Sequence, residues 1–155
     1  IGAIADSKLL SAEKRESIVA RFLEMGLKWT IGMATAHEVD ELNVRRASLL
    51  AMKRAVNAFQ GATFALVDAW KIPDIVISQR GIIHGDRLVK SIAAASIIAK
   101  VVRDRLMLEF DKEYPGYGLA LHKGYGTERH QYALKKYGPT PLHRRTFLKK
   151  LEIAP

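Results

Sequence analysis

The chain has 155 residues and no cysteine. Disulfides and thiolate metal centres are therefore excluded, and any metal must be held by carboxylates or by the five histidines. Such ligands favour hard cations, magnesium or manganese before softer metals. No apolar stretch reaches the roughly 18 residues that span a bilayer, and "IGAIADSKLL" at the start lacks the charged beginning and long apolar centre of a signal peptide. A soluble, cytoplasmic protein is expected. No G-x-x-x-x-G-K-[ST] phosphate loop occurs, which leaves a small-molecule α/β enzyme little support. Repeats, low-complexity tracts and linkers are also missing, so residues 1–155 are expected to form a single domain. Acid is scarce: 16 Asp and Glu stand against 25 Lys and Arg, a formal net charge of +9. A surplus of this sign points to a polyanionic partner, nucleic acid before membrane surface.

What is present is ample for folding, because 48% of the residues are hydrophobic. Ser11 can cap a helix running to about Met25, with Glu13 in its first turn and Gly26 just beyond its end. "KWTIGMAT" reads as a strand. Asn43 can cap a second helix in which Val44, Ala47, Ala51, Ala55 and Phe59 share one face until Gly61. "TFALVDA" has the character of a strand buried on both faces, and "DIVIS" after Pro73 that of a shorter one. A long helix from about Ser91 to Glu113 follows, then the loop "YPGYGLALHKGYG", a helix over roughly Glu128 to Tyr137, and a basic, helical "PLHRRTFLKKL". Strands alternating with helices give an α/β domain.

Two acids stand at informative places. Asp68 ends "FALVD", and Asp86 comes 18 residues later, after the next strand and its turn. In an open α/β sheet the carboxyl ends of neighbouring strands share one crevice, where ligands bind. Two carboxylates meeting there repel one another unless a cation lies between them, and a divalent ion with oxygen ligands serves that purpose. Read alone, Asp86 is equally a turn former or helix cap, and Asp68 the start of the "DAWKIPD" turn.

The order of "DSK" at 6–8, Asp68, Asp86, "SIAAASIIAKVVRD" at 91–104, "HKGYGT" at 122–127 and "HRRTF" at 143–147 closely resembles the ribonuclease HII family, over about residues 5–148. The resemblance implies a ribonuclease H-like fold, a mixed central sheet flanked by helices with a helical C-terminal part. It also implies cleavage of the RNA strand of RNA–DNA hybrids, and at ribonucleotides embedded in DNA, by an enzyme of DNA replication and repair. Family members hold two divalent ions, Mn2+ or Mg2+, with four acids. Asp68 matches the third and Asp86 the fourth, making both catalytic metal ligands. Tyr125 matches a tyrosine that packs on the sugar at the RNA–DNA junction, and Gly124 and Gly126 beside it let the backbone approach a duplex. Lys8 matches a lysine near the phosphates. Lys123, Arg144 and Arg145, with Lys149 and Lys150, could track phosphates or simply form a solvated face. His37, His84, His122, His130 and His143 show no metal-ligand spacing and read as structural or surface residues. Asp104 reads as an ion-pair partner of Lys100, and Ala93, Ala94, Ala95, Ser96 and Ala99 as the small face that packs against the sheet. A monomer is expected.

The departures from the family pattern carry as much information. The family's first two acids lie in an Asp-Glu-x-Gly-Arg-Gly motif, which this sequence lacks together with its strands. The reading is therefore of a fragment that begins after that motif and does not cleave by itself. The alternative is an inactive basic domain that binds hybrid or duplex nucleic acid without cutting it. Ala69 stands where Gly is usual, His84 where Lys is common, and Ala93 where Ser is usual.

Overall fold

The hydroxyl of Ser11 accepts a hydrogen bond from the Lys14 amide at 3.2 Å and so caps α1 (Ala12–Glu24), a contribution of about 1 kcal/mol. Met25 closes the helix and Gly26, at φ 67°, turns the chain away, as the sequence leads one to expect. The structure is a computed structural model and describes residues 10–149. These residues form two compact units: one from the chain up to Met33 with Ser48–Val102, the other from Ala34–Ala47 with the chain from Arg103 onward.

In the first unit Val19 and Phe22 of α1 meet Ile97, Ile98 and Val101 of α4 (Lys90–Glu113), and Leu10, Ile18 and Trp29 close the edges. Each such side chain, fully buried, contributes about 1.5–3 kcal/mol, which makes this aliphatic seam the main adhesive of the unit. The helix at 90–113 thus forms where expected, but its buried face differs. Ile92, Ala93, Ile97, Ile98 and Val101 point inward, whereas Ala95 and Ala99 are exposed. Volume decides between them, since the isoleucines bury more apolar area per position than alanine.

The strand expected over 28–35 does not form. Thr30 Oγ1 donates to the Ala55 carbonyl at 2.7 Å, and Gly32 lies so close to α2 (Ala36–Ala58) that a Cβ there would sit 1.9 Å from the Ala51 oxygen. A strand exists through its partner. Among the described residues this segment has a helix beside it instead.

Helix α2 is broken at Asn43, whose backbone lies at φ 70° and ψ 164°. Its Oδ1 accepts from the Arg45 and Arg46 amides at 3.1 and 3.2 Å, so Asn43 caps the second half as expected. The first half, from Ala36, is additional. Thr35 Oγ1 accepts from Glu38 N at 3.2 Å while Glu38 Oε2 accepts from Thr35 N at 2.8 Å, a reciprocal capping box already spelled by "TAHE".

Strands β1 (Phe64–Asp68) and β2 (Ser78–Ile82) pair in parallel, in register from Phe64↔Ser78 to Asp68↔Ile82. The second strand starts later than "DIVIS". Asp74 takes φ 53°, and the amide and carbonyl of Ile72 bond to the Gln79 side chain at 2.6 and 2.7 Å, so residues 72–77 become a loop tied back onto β2. Nor is β1 buried on both faces: Val67 is buried, but Phe64 and Leu66 are 54% and 43% exposed. Side chains alternate across a strand, and among the described residues only one face is covered. The short α3 (Gly85–Leu88) follows β2 directly.

In the second unit Tyr117, Leu119, Ala133, Leu134 and Leu148 form the core, with Phe110, Tyr114 and Leu142 against it. Phe110 comes from the end of α4, Leu119 from α5 (Leu119–His122), Ala133 and Leu134 from α6 (Glu128–Tyr137) and Leu148 from α7 (Arg145–Lys149), while Tyr114, Tyr117 and Leu142 come from the segments between the helices. Helix α5 lies inside the expected loop, and α6 has its expected limits, capped by Thr127 and ended at Gly138. Asp40 accepts from the amides of Arg145 at 2.6 Å and Thr146 at 3.0 Å, and from the Thr146 hydroxyl, and so caps α7 from more than a hundred residues away. No helix among the described residues is long and apolar enough to cross a membrane.

Candidate active site

The first unit positions the two acids. Asp68 is the last residue of β1, opposite Ile82, and the Ala69 amide continues the ladder to the Ile82 carbonyl at 2.8 Å. The chain then turns sharply, with Ala69 at φ 60° and the Trp70 amide bonded to the Asp68 carbonyl at 2.7 Å. The left-handed conformation at Ala69 explains why glycine suits this place, and alanine there costs roughly 1 kcal/mol. Gly81 faces the same turn, since a Cβ on it would meet the Ala69 and Trp70 carbonyls at 3.0 and 3.1 Å.

After β2, His84 adopts φ 55° and starts α3 without a side-chain cap. The Gly85 amide donates to Asp68 Oδ1 at 2.9 Å. Gly85 is buried, and a Cβ there would lie 2.7 Å from Ile92 Cδ1 and 3.3 Å from Asp68 Oδ1, so the acid and α4 close around a position with no room for a side chain. Asp86, half-buried, is the next residue, in the first turn of α3. The strand end and the helix start are thus joined through one carboxylate: Asp68 is held by the residue adjoining Asp86. Asp68 keeps Oδ2 outside that bond. Among the described residues no group of three or more histidines or carboxylates could hold a metal ion.

The second unit carries the other expected residues, apart from Lys8 and Lys150, which lie outside the described residues. Tyr125 is 60% exposed. The Arg103 guanidinium stands 5.3 Å from its ring centroid and also donates to the Lys123 carbonyl at 2.6 Å, so one arginine braces both the ring and its loop. Lys123 and Gly124 take φ 50° and 79°. Gly124 is needed for its conformation, whereas Gly126 leaves open space beside the backbone. Arg144 stacks on Phe147 at 3.8 Å. Burial pulls its pKa down, Arg103 adds to this and Asp40 opposes it, and it stays a cation at neutral pH. Arg145 is exposed, with its amide on Asp40. Burial raises the Asp40 carboxyl, but its bonds to the Thr146 hydroxyl and amide and to the Arg145 amide outweigh this and hold it below the usual range. Asp104 lies 3.7 Å from Arg103.

The placement of Arg103 beside Tyr125 and the clustering of three of the histidines, which read as structural or surface residues, were not legible in the sequence. His122 and His130 are buried and stacked with centroids 4.3 Å apart, and His130 Nε2 lies 3.0 Å from His143 Nε2. Nothing in a one-dimensional pattern links residues separated by eight and thirteen positions, each on a different element. His37 stays at the surface, 3.6 Å from Glu41.

A model of the family described as Ribonuclease HII matches residues 2–150. The chain belongs to the ribonuclease HII family. It is 47% identical over 148 residues to a ribonuclease HII of Desulforamulus reducens, covering 95% of this chain and 75% of that one. Against a ribonuclease HII of Clostridioides difficile it is 47% identical over 152 residues, 97% of this chain and 60% of the relative. The fold matches the crystal structure of the ribonuclease H2 from Pyrococcus horikoshii with a TM-score of 0.71 at 22% identity, over 97% of this chain and 80% of that one. The α/β class and the ribonuclease H-like fold expected from the family resemblance are therefore the class and fold observed.

Proposed function

We propose that the protein is an endoribonuclease that cuts the RNA strand of RNA–DNA hybrids, and DNA at embedded ribonucleotides, by two-metal phosphodiester hydrolysis in the cytoplasm. The observation that carries this reading is the Asp68 carboxylate at the end of β1, bonded to the Gly85 amide beside Asp86. Its setting is family membership. Carboxylate oxygens are the donors that magnesium and manganese prefer, so Asp68 and Asp86 suit such ions in kind. In number they fall short of the family's four acids, and the other ligands must come from outside the described residues. When bound, the ions activate the attacking water and neutralise charge on the phosphate. The role of this chain's residues is to place two anionic oxygens, one fixed by a backbone amide, at the carboxyl end of the sheet.

In the second unit Tyr125 offers an exposed ring for a nucleic-acid sugar or base, and Lys123, Arg144 and Arg145 offer cations for phosphates. Lys8 is assigned to the same task by resemblance. The protein acts as a monomer in this reading.

The test is a duplex with one embedded ribonucleotide, incubated with Mg2+ or Mn2+. The chain alone is expected to bind and not to cut, and the chain supplemented with an Asp-Glu-x-Gly-Arg-Gly segment from a relative is expected to cut. Binding should weaken steeply with salt, and each of Lys123, Arg144 and Arg145 that touches a phosphate should lower the salt slope by about 1 when replaced. Binding without cleavage in the supplemented protein selects the inactive basic domain. Affinity independent of salt removes the basic surface from the account.

A further inference from the structure

The proton inventory of the three clustered histidines is settled by their backbone partners. The Thr140 amide donates to His143 Nδ1 at 2.9 Å, so that nitrogen carries a lone pair and the proton of a neutral ring is on Nε2. The Tyr125 carbonyl lies 3.0 Å from His130 Nδ1 and can only accept, so His130 is protonated there and has its lone pair on Nε2. The two Nε2 atoms, 3.0 Å apart, are then one donor and one acceptor. His122 accepts from the Gly124 amide at Nδ1, 3.2 Å, and its Nε2 donates to the Tyr117 carbonyl at 2.8 Å. Every ring is neutral, each in one tautomer. The chain of bonds runs in one direction, from the Thr140 amide through His143 and His130 to the Tyr125 carbonyl.

We propose that His130 and His143 are positioning residues for Tyr125: their directed hydrogen bonds fix the backbone of residue 125 and so present its ring to the nucleic acid. This rests on the functional reading above, in which Tyr125 meets the duplex. Two histidines seize the loop on either side of that ring, His122 at the Gly124 amide and His130 at the Tyr125 carbonyl. Their stacking makes the two grips one body. Burial lowers the proton affinity of His130 and of His143, which supports the neutral assignment. The Tyr125 ring itself is left outside, with Arg103 on it. The histidines thus fix the backbone from which the ring departs, and Arg103 braces the ring itself.

The test has two parts. Long-range 1H–15N spectra of the unsubstituted chain near neutral pH should show three neutral imidazoles, protonated on Nε2 in His122 and His143 and on Nδ1 in His130. A different set of tautomers overturns the proposal. Binding of an RNA–DNA hybrid without divalent metal is then compared in a double-mutant cycle. His143→Leu should weaken binding roughly tenfold, as loss of one aromatic contact does, while His143→Gln, whose amide still donates to His130, should retain most of the affinity. In a Tyr125→Ala background both substitutions should have no further effect. Additive losses show that His143 acts otherwise than through Tyr125, and refute the positioning role. If His143→Leu does not fold, the tautomer spectra and His143→Gln in the unsubstituted background still decide: a loss of affinity in the Gln variant as large as that of Tyr125→Ala refutes the positioning role. Absence of hybrid binding by the unsubstituted chain is a separate outcome: it defeats the functional reading and the positioning role with it.

Discussion

Replacing Asp68 with Asn separates a structural carboxylate from one that binds metal. Asn keeps the size of the side chain and an oxygen that can accept from the Gly85 amide, now 2.9 Å from Oδ1. What it loses is charge. A hydrogen bond to an ionised acceptor contributes about 1.5–3 kcal/mol and a neutral one about 0.5–1.5, so metal-free stability should fall by about 1 kcal/mol, less whatever repulsion from Asp86 is relieved. Asp68→Ala is harsher, because it leaves the amide of a buried glycine without its acceptor, costing about 1–3 kcal/mol. Metal discriminates more sharply. At a Mn2+ concentration 100 times its dissociation constant, a bound ion stabilises the folded protein by about 2.7 kcal/mol. That increment, read from urea denaturation of the supplemented protein with and without Mn2+, should shrink by more than half in Asp68→Asn, and cleavage should fall by orders of magnitude. Asp86→Asn should behave likewise. The same Mn2+ increment and near-normal cleavage in either variant would refute the assignment, since a turn or cap tolerates Asn.

Gly32→Ala should destabilise the protein by about 3 kcal/mol or more in chemical denaturation, because the new Cβ would meet the Ala51 oxygen at 1.9 Å and the Ala55 nitrogen at 2.6 Å, both backbone atoms with nowhere to go; a neutral result would show that segment 28–35 does not lie on α2. Stability should also fall as pH is lowered from about 6.5, because the folded pKa values of His130 and His143 are depressed, first by burial. The folded state then binds fewer protons than the unfolded one between those values and the unfolded pKa, so the contribution is complete above about 6.5 and is lost towards the folded values. Denaturation midpoints in the His143→Gln variant should show a weaker dependence over this window; equal slopes would contradict it.

Much of this protein was legible in one dimension because it is local. Ser11, Asn43 and Thr127 cap helices with their own side chains, Gly26 and Gly138 end them, and α1, α4 and α6 run where hydrophobic spacing puts them. Caps and periodicity act over a few residues. The family too was readable, since Asp68, Asp86 and "HKGYGT" keep their order and spacing in the chain. Tertiary structure decided what depends on partners distant in sequence. "KWTIGMAT" has strand composition but lies against α2, β2 begins only where Gln79 ties down Ile72, and Phe64 and Leu66 stay exposed for want of cover among the described residues. The same applies to function. That Asp68 is an acid at a strand end is written in the sequence; that its oxygen is held by the Gly85 amide is not. Nor is the row from Thr140 through His143 and His130 to Tyr125, because a hydrogen bond needs two groups at about 3 Å, and only the packing of α5, α6 and the turn at 140–143 brings those groups together.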